Sequence, residues 1–178
     1  MRGKTSRRVG DLLEELSLEP YLRGVLEREL GRQRGTELLQ SLKDLPLLAS
    51  HALTRLGSYR WYGSDPLSIR LQFAQEPELL RQTLLHEVAH FLDHQTRPDR
   101  SRYRQPHGDR WQHWYRLIGG RTDRSASPVL SRLRQQRLKP VARCRRCGVV
   151  IERLRRLPRG RRWLHAGCGG ALVVLDMP

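Results

Sequence analysis

From Val9 to Leu48 the apolar residues recur at helical spacing: Leu12, Leu13 and Leu16, then Tyr21, Leu22, Val25, Leu26 and Leu30, then Leu38, Leu39 and Leu42. Pro20, Gly31, Gly35 and Pro46 punctuate the run and predict two or three short helices that serve the core. Around Gly57 the period shortens to two. Tyr59 and Trp61, then Ser68 to Phe73, alternate apolar with polar, which predicts half-buried strands joined through the turn Gly63-Ser64-Asp65-Pro66. Helical spacing returns at Glu76-Pro77, where proline suits a first turn, and predicts a helix through Leu79 to about His94, following an edge strand. A second, aromatic helix is predicted from about Asp109 to Ile118, stopped by Gly119-Gly120. Arg121 to Pro140, with Ser125-Ala126-Ser127-Pro128, reads as a linker carrying at most one short basic helix, and Arg143 to Leu175 pairs Val, Ile and Leu strands with Cys and Gly turns. The expected division is a main domain over 1–120, a basic linker over 121–142 and a miniature module over 143–178.

Composition narrows the class. The chain has 178 residues, 38% of them hydrophobic, enough for an ordinary core, which argues against wholesale disorder in spite of a formal charge of +16. No apolar run reaches the roughly 18 residues of a membrane span, and the basic start has no long apolar stretch or small-residue cleavage site behind it, so a soluble cytoplasmic monomer away from membranes is expected. The charge is unevenly spread: 11 basic against 8 acidic residues over 1–60, 8 against 7 over 61–120, and 15 against 3 over 121–178. An arginine-biased composition accounts for Arg over Lys, but not for the scarcity of acids after residue 121, so a polyanion-binding face is expected there. Arginine suits bidentate contact with phosphate and stacking on bases.

Inside the third helical segment stands His86-Glu87-Val88-Ala89-His90. At about 100° per residue the two histidines lie only about 40° apart on the helix, so both imidazoles can reach one ion while Glu87 stands beside them. Leu80, Leu84, Val88, Phe91 and Leu92 fall on a different arc, free to face a core. A catalytic zinc needs a third protein ligand and one open position. His94 is two turns from His86, about 12 Å along the axis, which suits an exposed or supporting role better than chelation. His107, at the entry of the aromatic helix, is the better third ligand, with Trp111, Trp114 and Ile118 seating that helix and His113 turned to solvent. Asp93 either orients a ligand histidine or is an ordinary surface carboxylate.

The residues Thr83 to His90, then Pro106-His107-Gly108-Asp109-Arg110-Trp111, then Cys144-Arg145-Arg146-Cys147 and Cys168-Gly169-Gly170-Ala171-Leu172, taken in order, make the chain resemble the SprT-like family of zinc metalloproteases. The resemblance implies an α+β fold: a zincin-like domain with the H-E-x-x-H helix and a small antiparallel sheet, followed by a C-terminal zinc ribbon. It implies that His86, His90 and His107 bind zinc and that Glu87 is catalytic. Two departures stand out. The ribbon has His165 where a fourth cysteine is common, and Ala142 where an aromatic often precedes the first cysteine. Cys144, Cys147, His165 and Cys168 still supply four ligands in knuckle spacing, so a closed Cys3His site and two zinc ions per chain are expected.

The resemblance further implies peptide hydrolysis on proteins held at nucleic acid, DNA above all and DNA–protein crosslinks among them, as in DNA repair. Tyr103 or an arginine of the 95–105 loop is a candidate for oxyanion stabilisation. Recruitment would fall to Arg143, Arg145, Arg146, Arg153, Arg155, Arg156, Arg159, Arg161 and Arg162. Trp163 would either stack on an unpaired base or pack the module's second hairpin. Two other classes compete: a non-proteolytic nucleic-acid-binding module in which both zincs are structural, and an adaptor whose ribbon binds an acidic protein. Glu87 discriminates, because a purely structural site has no use for a carboxylate beside an open position.

Overall fold

The computed structural model describes residues 7–103, 107–121 and 128–175. Pro106 and the Ser125-Ala126-Ser127 stretch of the expected linker lie outside them. The chain divides into two compact units, Met1–Ala126 and Ser127–Pro178. The architecture is α+β, with helices and a three-stranded sheet in the first unit and one helix with a second three-stranded sheet in the other.

The first unit opens with α1 (Val9–Glu15), α2 (Glu19–Leu30) and α3 (Arg32–Lys43). Their leucines enter one core with Leu12, Leu13, Leu22, Leu26, Leu39 and Leu42 all nearly inaccessible. Gly31 breaks α2 from α3 with φ of 81°, a conformation that other residues adopt at a cost. Gly35 differs from the expected punctuation: it lies within α3, where a Cβ would come 2.7 Å from the backbone of Leu26. Its missing side chain lets α2 and α3 approach backbone to backbone.

Three strands follow: β1 (Leu47–Ala49), β2 (Gly57–Tyr62) and β3 (Asp65–Leu71), in the spatial order β1-β3-β2. The sheet is mixed rather than antiparallel, since β1 pairs parallel with β3 (Leu47 opposite Ile69) while β2 pairs antiparallel with it (Tyr59 opposite Ile69). The cause is topological. The chain leaves β1, steps past the β3 position and enters β2 running the other way, so the tight hairpin into β3 restores the original direction. β3 is therefore the central strand, not an edge, and β1, at three residues, is too short to show alternation.

Next comes α4 (Pro77–Gln95), with Pro77 in its first turn. It packs against β2, β3, α3 and α5 (Asp109–Leu117), so nearly all of it from Thr83 onward is buried and the apolar arc of Leu84, Val88, Phe91 and Leu92 is only part of its covered surface. Trp111, Trp114 and Ile118 seat α5 in the same core.

The second unit contains α6 (Pro128–Gln136), β4 (Lys139–Cys144), β5 (Val150–Arg153) and β6 (Leu172–Val174), the strands antiparallel in the order β5-β4-β6. Its core is small: Val141, Ala142 and Leu157 are buried, with Ile151, Trp163 and Leu172 packed on them. Ala142 is fully buried against these neighbours, and Trp163 supplies the aromatic bulk, with its indole nitrogen donating to the Pro158 carbonyl at 3.3 Å.

Candidate metal centres

Four residues apart on α4, His86 and His90 present Nε2 atoms 3.2 Å from one another, and His107, just before α5, places its Nε2 3.2 Å from that of His86. Four ligands at about 2.0 Å on a tetrahedron put neighbouring nitrogens about 3.3 Å apart, so the three imidazoles have the spacing of one face of a zinc tetrahedron. Burial lowers the pKa of His86 to about 4, with a further depression from His107. Burial also depresses His90, as do His86 and His107. Neutral imidazoles converging on one point suit a cation at that point. Trp111 packs its ring against all three, at centroid distances of 4.8 Å to His86, 5.3 Å to His90 and 4.7 Å to His107.

Glu87 stands beside them and is 4% exposed. One carboxylate oxygen accepts the backbone N–H of Tyr59 at 2.6 Å, which ties it to β2. Burial pushes its pKa up to about 8, against the opposing pull of that N–H and of Arg55. Gly57 makes room for it: a Cβ there would sit 2.6 Å from the other carboxylate oxygen. Nothing in the local sequence marks Gly57 beyond the change of period, because its neighbour comes from an element 30 residues on.

Three neighbours resolve or overturn the sequence reading, His94 taking the supporting rather than the exposed alternative. His94 is fully buried rather than exposed, its Nδ1 2.8 Å from the Tyr59 hydroxyl and its Nε2 3.2 Å from the Gly63 carbonyl. The carbonyl can only accept, so Nε2 carries the proton and Nδ1 accepts from Tyr59, and neither nitrogen is left for a metal. Asp93 orients no histidine. It is buried and takes two hydrogen bonds from Arg97, at 3.1 and 3.0 Å, with Arg110 3.8 Å away. The spacing of Asp93 and Arg97 along the helix is the signal that reveals this pairing. Tyr103, offered by sequence as an oxyanion group, instead has its hydroxyl 3.0 Å from His90 Nδ1, and burial holds its ionisation well above the ordinary range. His113 is exposed as expected, 3.9 Å from Glu29.

In the second unit Cys144, Cys147, His165 and Cys168 bring one ligand atom each to within 4.8 Å of one another. The Sγ of Cys168 is 3.5 Å from those of Cys144 and Cys147, and His165 contributes Nδ1, 3.2 Å from Cys147 and from Cys168. These sulfurs are free thiols, far beyond the about 2.05 Å of a disulfide and close to the edge of a tetrahedron with Zn–S near 2.3 Å. The backbone N–H of Cys147, helped by that of Arg146, pulls the Cys144 thiol below the ordinary range, which favours the thiolate a metal requires. Arg146 also donates to the Cys168 carbonyl at 2.7 Å, bracing the two knuckles.

All nine arginines of the expected polyanion face are exposed. Arg153, Arg155 and Arg156 share a recess of about 440 Å³ whose other walls include Arg134, Leu138, Leu154 and Pro158. The remaining six do not line it, and Arg134, on α6, is the contributor that sequence reading missed, its place beside β5 being a matter of tertiary packing. Among the described residues no helix is long and apolar enough to cross a membrane.

Residues 39–131, just over half of the chain, match the model of the family described as SprT-like. Comparison with curated proteins and with solved structures gives no match.

Proposed function

The chain belongs to the SprT-like family, and from that membership together with the site on α4 we propose that it is a zinc-dependent endopeptidase acting on proteins associated with nucleic acid. The observation that carries the reading is the convergence of the His86, His90 and His107 Nε2 atoms beside a carboxylate that is held for them by β2. A purely structural metal site leaves such a group idle. His86, His90 and His107 would hold the catalytic zinc in a zincin-like domain, and Cys144, Cys147, His165 and Cys168 a second zinc in a ribbon. A zinc ion with one open position lowers the pKa of a water toward about 7 and polarises a carbonyl. Glu87 takes the proton of the attacking water and passes it to the leaving amine. Its raised pKa suits both halves of that task, since a carboxyl that titrates near neutrality gives up a proton as readily as it takes one.

Recruitment rests on the second unit. Its recess is lined by Arg134, Arg153, Arg155 and Arg156 together with Leu138, Leu154 and Pro158, with Glu152 the one carboxylate among them, a predominantly cationic lining that suits a phosphate with its sugar or base. The reading places the chain in the cytoplasm as a monomer on DNA, with crosslinked proteins among its substrates, in a compartment reducing enough to keep three thiols on a metal. The test is cleavage of a DNA-bound protein by the full chain, with and without DNA, beside Glu87→Gln and an Arg153→Gln/Arg155→Gln double variant. Glu87→Gln is expected to lose cleavage by at least about 100-fold, and the double variant to keep basal cleavage while losing the stimulation by DNA.

A further inference from the structure

His90 turns Nε2 toward the other two histidines, which leaves Nδ1 facing the opposite way, 3.0 Å from the Tyr103 hydroxyl. An imidazole that ligates through one nitrogen carries its proton on the other, and whatever accepts that proton fixes both the tautomer and the plane of the ring. Carboxylates and backbone carbonyls commonly do this. Asp93, the nearby carboxylate, is committed to Arg97 instead.

Tyr103 is 1% exposed and is held by three different groups. Trp61 of β2 meets its ring edge-on at 4.8 Å, His94 of α4 lies stacked at 5.1 Å, and the Arg97 guanidinium sits 5.3 Å from the ring centre. A ring clamped on these sides keeps its oxygen in one place, and with it the imidazole that the oxygen touches. Trp61 is itself one-third exposed, with Tyr59 stacked at 5.7 Å. The tether of His90 therefore runs through two aromatic contacts to the sheet hairpin.

We propose that Tyr103 is the positioning residue of the α4 metal site: its hydroxyl oxygen accepts the Nδ1 proton of His90, and Trp61 keeps that oxygen in register. The inference rests on zinc binding at His86, His90 and His107. A phenol differs from a carboxylate in bringing no charge. The imidazole is oriented without being made more anionic, so less of the ion's charge is neutralised by its ligands and more remains for the substrate carbonyl.

Tyr103→Phe keeps the ring and removes the acceptor. In the full chain, zinc at the α4 site should pass to a competing chelator with an affinity weakened by roughly 10- to 100-fold, the His107→Ala chain serving as the reference in which only the cysteine site is filled. The visible spectrum of the cobalt-substituted site should shift, and kcat for a peptide should fall with KM unchanged. Trp61→Leu, which spares the hydroxyl and loosens its seat, should move the same readings in the same direction by less. Zinc held as tightly by Tyr103→Phe as by the parent chain, with an unaltered cobalt spectrum, would overturn the proposal. So would a loss of thermal stability equal in the metal-free and zinc-loaded variants, which would make Tyr103 a packing residue only. A parent chain whose α4 site takes no zinc at all would overturn the metal reading itself, and this inference with it.

Discussion

The two ligand clusters lie in units of very different build. In the first unit His86 and His90 stand on a 19-residue helix within a core drawn from α1 to α5 and all three strands, and the fold is expected to hold its shape without a metal. In the second, the hydrophobic cluster among the described residues is three buried residues with three half-buried ones packed on them. A cluster of four ligands that joins the β4 turn to the 165–168 turn is then a principal cross-brace. In one unit the fold makes the site; in the other a bound metal is expected to make the fold.

The strongest way to break this contrast is to strip the metal. Structural zinc contributes on the order of 10 kcal/mol to domains of this size, so a chelator, or Cys144→Ser, should abolish the amide chemical-shift dispersion of residues 139–175 while leaving the α4 core intact by NMR. Simultaneous loss of both units would show that the first also depends on its ion. The next test removes chemistry without structure: Glu87→Gln should retain zinc and lose peptide cleavage by at least about 100-fold. Undiminished cleavage would mean that the activity belongs to a contaminant or that the protease reading is wrong; a parent chain that binds zinc and DNA but cleaves nothing would turn the reading toward a non-proteolytic nucleic-acid-binding module. The third concerns metal count. His107→Ala should fall from two zinc ions to one by metal analysis while the second unit stays folded, and a count already at one in the parent chain would remove one of the two centres.

The contrast sharpens with pH and salt. His86 titrates near 4 in the fold against about 6.5 in an unfolded chain. Between those values the unfolded state binds the extra proton, so the His86 contribution to the stability of the metal-free first unit should be lost as the pH falls from about 6.5 to about 4, whereas Glu87, raised to about 8, works in the opposite sense and costs stability as the pH rises toward that value. Buried His94, depressed by desolvation, works in the same sense as His86. Denaturant melts of the metal-free Glu87→Gln chain, which lacks the opposing carboxyl, check it across that range, and a first unit there as stable at pH 4 as at 7 would contradict the burial of these rings. The second unit should respond to salt instead, with a logarithmic slope for DNA affinity of roughly −0.9 per duplex phosphate or −0.7 per single-strand phosphate. Each arginine removed from the recess should flatten that slope by about one contact, the smallest of these effects.

What was legible in the sequence follows the range of the interactions. His86 and His90 are neighbours by helical period, Pro77 announces their helix, and α5 shows its aromatic face, so the three-histidine cluster could be read one residue at a time. The knuckle spacing of Cys144, Cys147, His165 and Cys168 is equally local. The sense of β1, the burial of His94, the room Gly57 leaves for Glu87 and the tether from Tyr103 to His90 all depend on residues brought together from separate elements. No periodicity encodes them.

One contact has an optical consequence. The Trp111 indole faces all three imidazoles at ring-centre distances near 5 Å. An open-shell ion such as Co²⁺ seated among them would lie within easy reach for energy transfer from the excited indole and extinguish its emission, whereas the closed-shell Zn²⁺ would leave it bright. Exchange of one ion for the other can then be followed in the native chain by its own tryptophan light, with Trp111→Phe as the control that keeps only the emission of Trp61, Trp114 and Trp163, and no label added.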